Sequence, residues 1–277
     1  MILDELVAAT RQAMEARRAA LPEPALREML PDFPPAIDLA ARLRSPGADE
    51  AKGLAGQTEG LAVIAEVKRA SPSRGVLSAD LDPAALAVAY AQAGVDAVSV
   101  LTEESRFHGS LLDLQAAREG LRCAGLDTPL LRKDFIIDPY QLVEARVRGA
   151  DAALLIVAIL SDAELDRLLR ETMALGLTPL VEVHDEVELR RALPLSPPVV
   201  GINNRNLADL TVDLAATRRL RPLIPPEIVV VSESGIHTSE QVAELVRLGV
   251  DAALIGEALV TAPDLAERLA ALRGVGR

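Results

Sequence analysis

The 277-residue chain is half hydrophobic, carries a formal net charge of −12 and holds one cysteine, Cys123; it is long enough for a single large core, and an α/β barrel of roughly 250 residues fits. The acidic balance excludes partners that reward basic surface, nucleic acid and anionic membrane among them, and the lone cysteine excludes an internal disulfide framework and suits a reducing cytoplasm. No apolar run reaches the roughly 20 residues of a bilayer-crossing helix, and the acidic opening Met1-Ile2-Leu3-Asp4-Glu5 reads as no secretory signal.

Leu3, Leu6, Val7 and Met14, set among Glu5, Arg11, Glu15, Arg17 and Arg18, predict an amphipathic helix over residues 2–20. Pro22, Pro24, Pro31, Pro34 and Pro35 then predict a segment of little regular structure, followed by a loop around Ser45-Pro46-Gly47. Residues 1–60 are read as an N-terminal extension packed on a single domain that spans 1–277. From residue 60 short apolar runs alternate with helical stretches. Strands are expected near 62–68, 96–101, 129–133, 152–157, 179–183, 199–203, 228–232 and 252–256, with helices such as 83–93, 139–148, 161–175 and 238–248 between them. A Gly-x-Asp-Ala signature recurs at Gly94, Gly149 and Gly249, where glycine suits the left-handed end of a helix. Asp82-Pro83, Ser161 with Glu164, and Thr238-Ser239-Glu240 read as helix starts. Eight successive β/α units predict a (β/α)8 barrel, with a doubly wound sheet as the alternative.

Such barrels work at the C-terminal ends of their strands. The first strand is an apolar run interrupted at its end by Glu66 and Lys68, two residues apart and so on one side of the strand. A buried carboxylate and ammonium are costly unless paired or used. Lysine is scarce, at Lys52, Lys68 and Lys133 only. The other strand ends supply Thr102-Glu103 and the loop through Phe107 and His108, then Lys133-Asp134-Phe135, Glu182-Val183-His184, Asn203-Asn204-Arg205, Glu233-Ser234-Gly235 and Gly256-Glu257. Taken singly, each has a bland alternative: a rim ion pair, a loop lysine or an ordinary turn. Lys133 also fits a Schiff-base nucleophile or a proton donor. Ser234-Gly235 and Gly256 fall after strands seven and eight, where barrels bind phosphate through backbone amides. The three histidines have no zinc-like spacing and are assigned surface or capping roles, with His108 in a mobile loop.

Six stretches in one order, Ile64-Ala65-Glu66-Val67-Lys68-Arg69-Ala70-Ser71-Pro72-Ser73, Leu131-Arg132-Lys133-Asp134-Phe135-Ile136, Val181-Glu182-Val183-His184, Gly201-Ile202-Asn203-Asn204-Arg205-Asn206-Leu207, Ser232-Glu233-Ser234-Gly235-Ile236 and Leu254-Ile255-Gly256-Glu257-Ala258-Leu259, resemble the indole-3-glycerol-phosphate synthase family. The resemblance runs almost from end to end; Glu257 departs from a common Ser. It implies a carboxy-lyase of tryptophan biosynthesis that closes 1-(2-carboxyphenylamino)-1-deoxyribulose 5-phosphate to indole-3-glycerol phosphate. By the same resemblance Lys133 is the acid, Glu66, Lys68 and Glu182 share the later proton transfers, and Glu233 orients Lys133. Asn203 and Arg205 then bind ribulose hydroxyls, Ser234, Gly235, Gly256 and Glu257 hold phosphate, Lys68 and Ser71 meet an anionic group, and Phe107 and Phe135 wall the aromatic ring. It implies no metal or organic cofactor, and an extension that contributes to the substrate site, so that removing residues 1–45 raises KM. A Schiff-base aldolase, phosphoribosylanthranilate isomerase and a non-catalytic scaffold are the competing readings. A monomer or weak homo-oligomer is expected.

Overall fold

The computed structural model describes residues 2–44, 61–72, 75–78, 80–205 and 211–273. The loop around Ser45-Pro46-Gly47 and the motif residues Ser73, Asn206 and Leu207 lie outside the described residues. Eight parallel strands close into a barrel in sequence order: β1 (Ala62–Val67), β2 (Ala97–Leu101), β3 (Leu130–Lys133), β4 (Ala152–Ile156), β5 (Thr178–Val183), β6 (Val199–Asn203), β7 (Val229–Glu233) and β8 (Ala252–Ile255), with β8 pairing back onto β1. Each lies within a residue or two of its predicted range. The crossover helices are α4 (Pro83–Gln92), α5 (Leu111–Cys123), α6 (Pro139–Val147), α7 (Asp162–Ala174), α8 (Glu186–Ala192), α9 (Ala215–Leu220) and α10 (Ser239–Arg247), and α11 (Glu257–Val260) and α12 (Leu265–Arg273) follow β8. The fold is a (β/α)8 barrel.

Local chemistry sets the boundaries. Asp82 caps α4, Ser161 and Glu164 form a reciprocal capping box on α7, and Thr238 with Gln241 does the same on α10. The repeated glycines adopt φ of 85°, 87° and 75° at Gly94, Gly149 and Gly249, which lets the chain leave a helix and enter the next strand. The aspartate two residues on secures the barrel's N-terminal rim. Asp96, Asp151 and Asp251 each accept the backbone N–H of a neighbouring strand, from Val63, Leu130 and Val230, at 2.7–2.8 Å. The repeat is therefore a strand-aligning device.

Strand alternation divides two cores. Val63, Val98, Leu130, Val181, Val200 and Val230 face the helices. Ala62, Ala97, Ala152, Val199, Val229 and Ala252 make a small-residue layer low inside the barrel, with Ile64, Leu131, Leu154, Leu180, Val231 and Leu254 above it. Two residues further along the inward face come Glu66, Lys133, Ile156, Glu182 and Glu233, so the charged layer sits directly on the apolar one.

The proline-rich segment departs from its prediction. It forms a helix, α2 (Glu23–Met29), and a 3-10 turn at Leu30–Asp32, and a further helix, α3 (Leu39–Arg44), follows. Pro24 occupies the first turn of α2, where the missing N–H costs nothing. Leu39 and Leu43 on α3 plug the lower barrel, fully buried among its inward residues, while Ile37 N–H donates to Asp151 at 2.8 Å and Leu39 N–H to Thr178 at 3.2 Å. Helix α1 (Ile2–Ala20) lies across α6: Met14 packs with Tyr140, Val143 and Val147, and Arg17 Nε pairs with Glu144 at 2.7 Å.

Candidate active site

A cavity of about 190 Å³ opens at the C-terminal ends of the strands, and every residue to which the family resemblance gives a catalytic or binding role borders it, whereas Glu103, His108, His184 and Asn204 lie outside its lining. On one wall Lys68 pairs with Glu66. The pair lies over Gly256, where a Cβ would stand 2.3 Å from Glu66 Oε2 and 3.0 Å from Lys68 Nζ. A side chain at the residue that opens the turn after β8 would have to displace the ends of the Glu66–Lys68 pair. Glu257 and Ser71 lie on the same border.

Lys133 stands between two carboxylates. Its Nζ is 3.0 Å from Glu233 Oε2 and 3.5 Å from Glu182 Oε2. Burial acts against its charge, but Glu233, Glu182 and Glu66 together outweigh burial and hold Lys133 protonated well above the ordinary lysine range. Desolvation acts against ionisation of Glu182 as well; Lys133, His184 and a hydrogen bond with Asn203 overcome it and bring Glu182 down to about 2. At Glu233 desolvation prevails over Lys133, assisted by the like charge of Glu182, and its carboxyl is raised to about 7. The two glutamates beside Lys133 thus shift in opposite directions, Glu182 downward and Glu233 upward.

The turns after β6 and β7 are tied together. Asn203 Oδ1 accepts from Arg205 N–H and from Ser234 Oγ, both at 3.0 Å. Ser234 and Gly235 follow each other at φ of 67° and 80°, a left-handed pair that a β-carbon-bearing residue seldom joins. Asn204, read as part of a turn, is buried and holds this arrangement. Its Nδ2 donates to Ser232 Oγ and Glu233 O at 2.9 Å, and its Oδ1 accepts from Thr217 Oγ1 at 2.8 Å.

The apolar wall combines Phe107, Phe135, Leu154 and Ile156 with Leu3 and Leu6 of α1. The loop bearing Phe107 is organised by Glu103, whose Oε1 accepts from Ser105 N–H at 2.8 Å and whose Oε2 accepts from Arg106 and Phe107 N–H at 2.8 and 3.1 Å. The loop that runs into His108, expected to be mobile, makes these three backbone bonds to one side chain. His184, assigned a surface or capping role, is largely buried and ion-paired on both ring nitrogens. Glu103, Asn204 and His184 were invisible as a group because each acts on a residue whose position the sequence does not give. The one available signal was the closeness of His184 to Glu182, two residues past it at the end of the strand.

A lysine between carboxylates at the barrel mouth, an apolar wall beside them and tight turns after β7 and β8 make this a (β/α)8 barrel with a polar cavity at the C-terminal ends of its strands. Among solved structures, 3-hexulose-6-phosphate synthase from Salmonella typhimurium matches with a TM-score of 0.60 at 13% identity, over 78% of this chain and 98% of that one. Thiamine phosphate pyrophosphorylase from Pyrococcus furiosus matches at 0.56 and 17%, over 78% and 94%. At such identities the likeness is one of fold. The family model for indole-3-glycerol phosphate synthase matches residues 3–272, and indole-3-glycerol phosphate synthases from Dehalococcoides mccartyi strain CBDB1 and Roseiflexus sp. strain RS-1 are each 47% identical, over 97% and 99% of this chain and 98% of both relatives. The chain belongs to the indole-3-glycerol phosphate synthase family.

Proposed function

We propose that this chain closes the indole ring of indole-3-glycerol phosphate from 1-(2-carboxyphenylamino)-1-deoxyribulose 5-phosphate, with Lys133 as the first proton donor. The observation that carries the assignment is Lys133 Nζ set between Glu233 and Glu182 against an apolar wall. The ring carbon that bears the carboxylate attacks the ketone carbon while the Lys133 ammonium protonates the ketone oxygen. Carbon dioxide then leaves, and its bonding electrons restore the benzenoid ring. Dehydration follows: the new hydroxyl departs as water with a proton from a second acid, Lys68, while Glu182 takes the proton from the carbon next to nitrogen. Glu182 is ionised and so free to accept a proton, and Lys133 carries the proton that the ketone oxygen takes. The same protonation disfavours the Schiff-base reading, because an ammonium has no lone pair to attack a carbonyl.

Phe107 and Phe135 wall the anthranilate ring, and their apolar surface weakens solvation of the departing carboxylate. Asn203 and Arg205 bind the ribulose hydroxyls. Ser234, Gly235, Gly256 and Glu257 hold the phosphate, with Ser71 beside them. We assign no cofactor to these steps, and place the enzyme in the cytoplasm as a monomer or weak homo-oligomer with no nucleic-acid partner. The test is indole fluorescence after the substrate is mixed with the protein, which has no tryptophan of its own. A rise that Lys133→Ala loses supports the reaction and the donor. No rise with tightly bound substrate overturns the reaction.

A further inference from the structure

The proposed base raises a question of charge. Glu182 is 2% exposed, and Lys133 stands closer to Glu233 than to it. One shared cation at 3.5 Å is poor compensation for a carboxylate taken out of water. The remaining charge comes from beyond the described cavity wall. His184 Nε2 lies 3.3 Å from Glu182 Oε1, an ion-pair distance without hydrogen-bond alignment. On the other side of the ring, His184 Nδ1 is 3.0 Å from Glu188 Oε2, which also accepts the His184 backbone N–H at 2.8 Å. Capping alone explains the backbone bond; it does not require the ring to stand between two carboxylates.

We propose that His184 and Glu188 form a positioning pair for the base, in which Glu188 fixes the imidazolium and the imidazolium holds Glu182 Oε1 so that Oε2 faces Lys133. The inference rests on Glu182 being the base of the proposed reaction. The placement follows from the local fold. His184 is the first residue past the end of β5, two residues beyond Glu182, and Asp185 then caps α8, putting Glu188 in its first turn. The charged groups facing the ring are Glu182 of β5 and Glu188 of α8, with Lys133 of β3 across Glu182. Burial opposes the ring's charge, but the two glutamates outweigh it and raise His184 to about 10. His184 is a positioning residue: it touches Glu182 and lies outside the cavity lining.

Two measurements test the pair. The first follows the histidine ring nitrogens by NMR across pH, with His184→Ala assigning the signal among the three histidines. We expect His184 to remain charged past pH 8 in the native protein and to titrate lower in Glu188→Gln and Glu182→Gln. The second is the pH profile of turnover. Because a base contributes about 10² to 10⁴ and its positioning partner only part of that, His184→Ala and Glu188→Gln should each lower kcat about ten-fold. KM should change by less than about two-fold, since the lost effect falls on the chemical step. The acidic limb of the kcat profile should move to higher pH, as Glu182 becomes easier to protonate. In a Glu182→Gln background His184→Ala should add nothing, the mark of action through Glu182. If His184→Ala fails to fold, Glu188→Gln carries the same readouts. A folded variant with native kcat and pH profile, or a native ring that titrates near the ordinary 6.5, overturns the pair while leaving the ring-closure reading intact. If the native protein forms no product, the ring-closure reading falls, and the NMR titration decides the pair alone: ordinary titration overturns it, and a high value that requires both glutamates supports it.

Discussion

Lys133 Nζ lies 3.0 Å from Glu233 Oε2, and the space for that carboxylate is left by Gly201, where a Cβ would fall 2.3 Å from Glu233 Oε1. A position 100 residues away on β7 is thereby joined to the proposed acid by the absence of a side chain on β6. Removal of the ammonium takes away the proton that ring closure requires. Lys133→Ala should lower kcat by a factor of about 10² or more, on the scale of general acid catalysis, when product fluorescence is read at saturating substrate. An unchanged rate overturns the assignment.

The raised carboxyl of Glu233 makes stability depend on pH with a definite sign. Its folded value is about 7 against an ordinary 4.5, so between those values the folded protein keeps a proton that the unfolded chain has released. Its contribution is complete below about 4.5 and is lost as pH rises through about 7. Glu233→Gln mimics the protonated side chain and cannot ionise. Thermal denaturation should show the variant gaining on the native protein from pH 4.5 to 7, with a constant difference above that. A difference independent of pH would show that Glu233 does not titrate there.

The N-terminal segment has two separable tasks. Leu43 plugs the lower barrel and is 1% exposed, so Leu43→Ala should cost about 2–5 kcal/mol in urea denaturation, as a large-to-small core change does, with KM unaltered. Leu3 borders the cavity at the other end of the barrel. Leu3→Ala should raise KM with little loss of stability. Deletion of residues 1–45 confounds the two, because it removes α3 as well as α1 and opens the barrel floor. An unchanged KM in Leu3→Ala would remove α1 from the substrate site.

Glu103 presents both carboxylate oxygens to backbone donors of the Phe107 loop. Glu103→Gln turns one of those oxygens into an NH2 group facing N–H donors. Leaving such donors unpaired costs about 1–3 kcal/mol, enough to release the turn locally. Faster limited proteolysis at Ser105–Phe107 and a KM raised about ten-fold, the equivalent of 1.4 kcal/mol, are the expected results. Native KM and native proteolysis would mean that the loop is held by other contacts.

The barrel was legible in the sequence because its signals are local. Short apolar runs of four to six residues, the Gly-x-Asp repeat and the capping residues each depend on neighbours a few positions away, and they placed all eight strands. Strand alternation also gave the sidedness of Glu66 with Lys68. The proline-rich segment misled because proline breaks helices in their interior and is accepted in their first turn, and position alone distinguishes the two cases.

What the sequence by itself determined is which residues enter strands, which face each one presents and which strand ends carry charge, since these follow from periodicity along one segment. Tertiary structure alone decided how the charges divide. Lys133 meets Glu182 and Glu233 across gaps of 49 and 100 residues, Arg17 reaches Glu144 across 127, and α3 becomes the floor of a barrel it precedes. Protonation in the site follows from that closure: desolvation and charge pairing act over a few ångströms of space, and only the folded chain sets those distances.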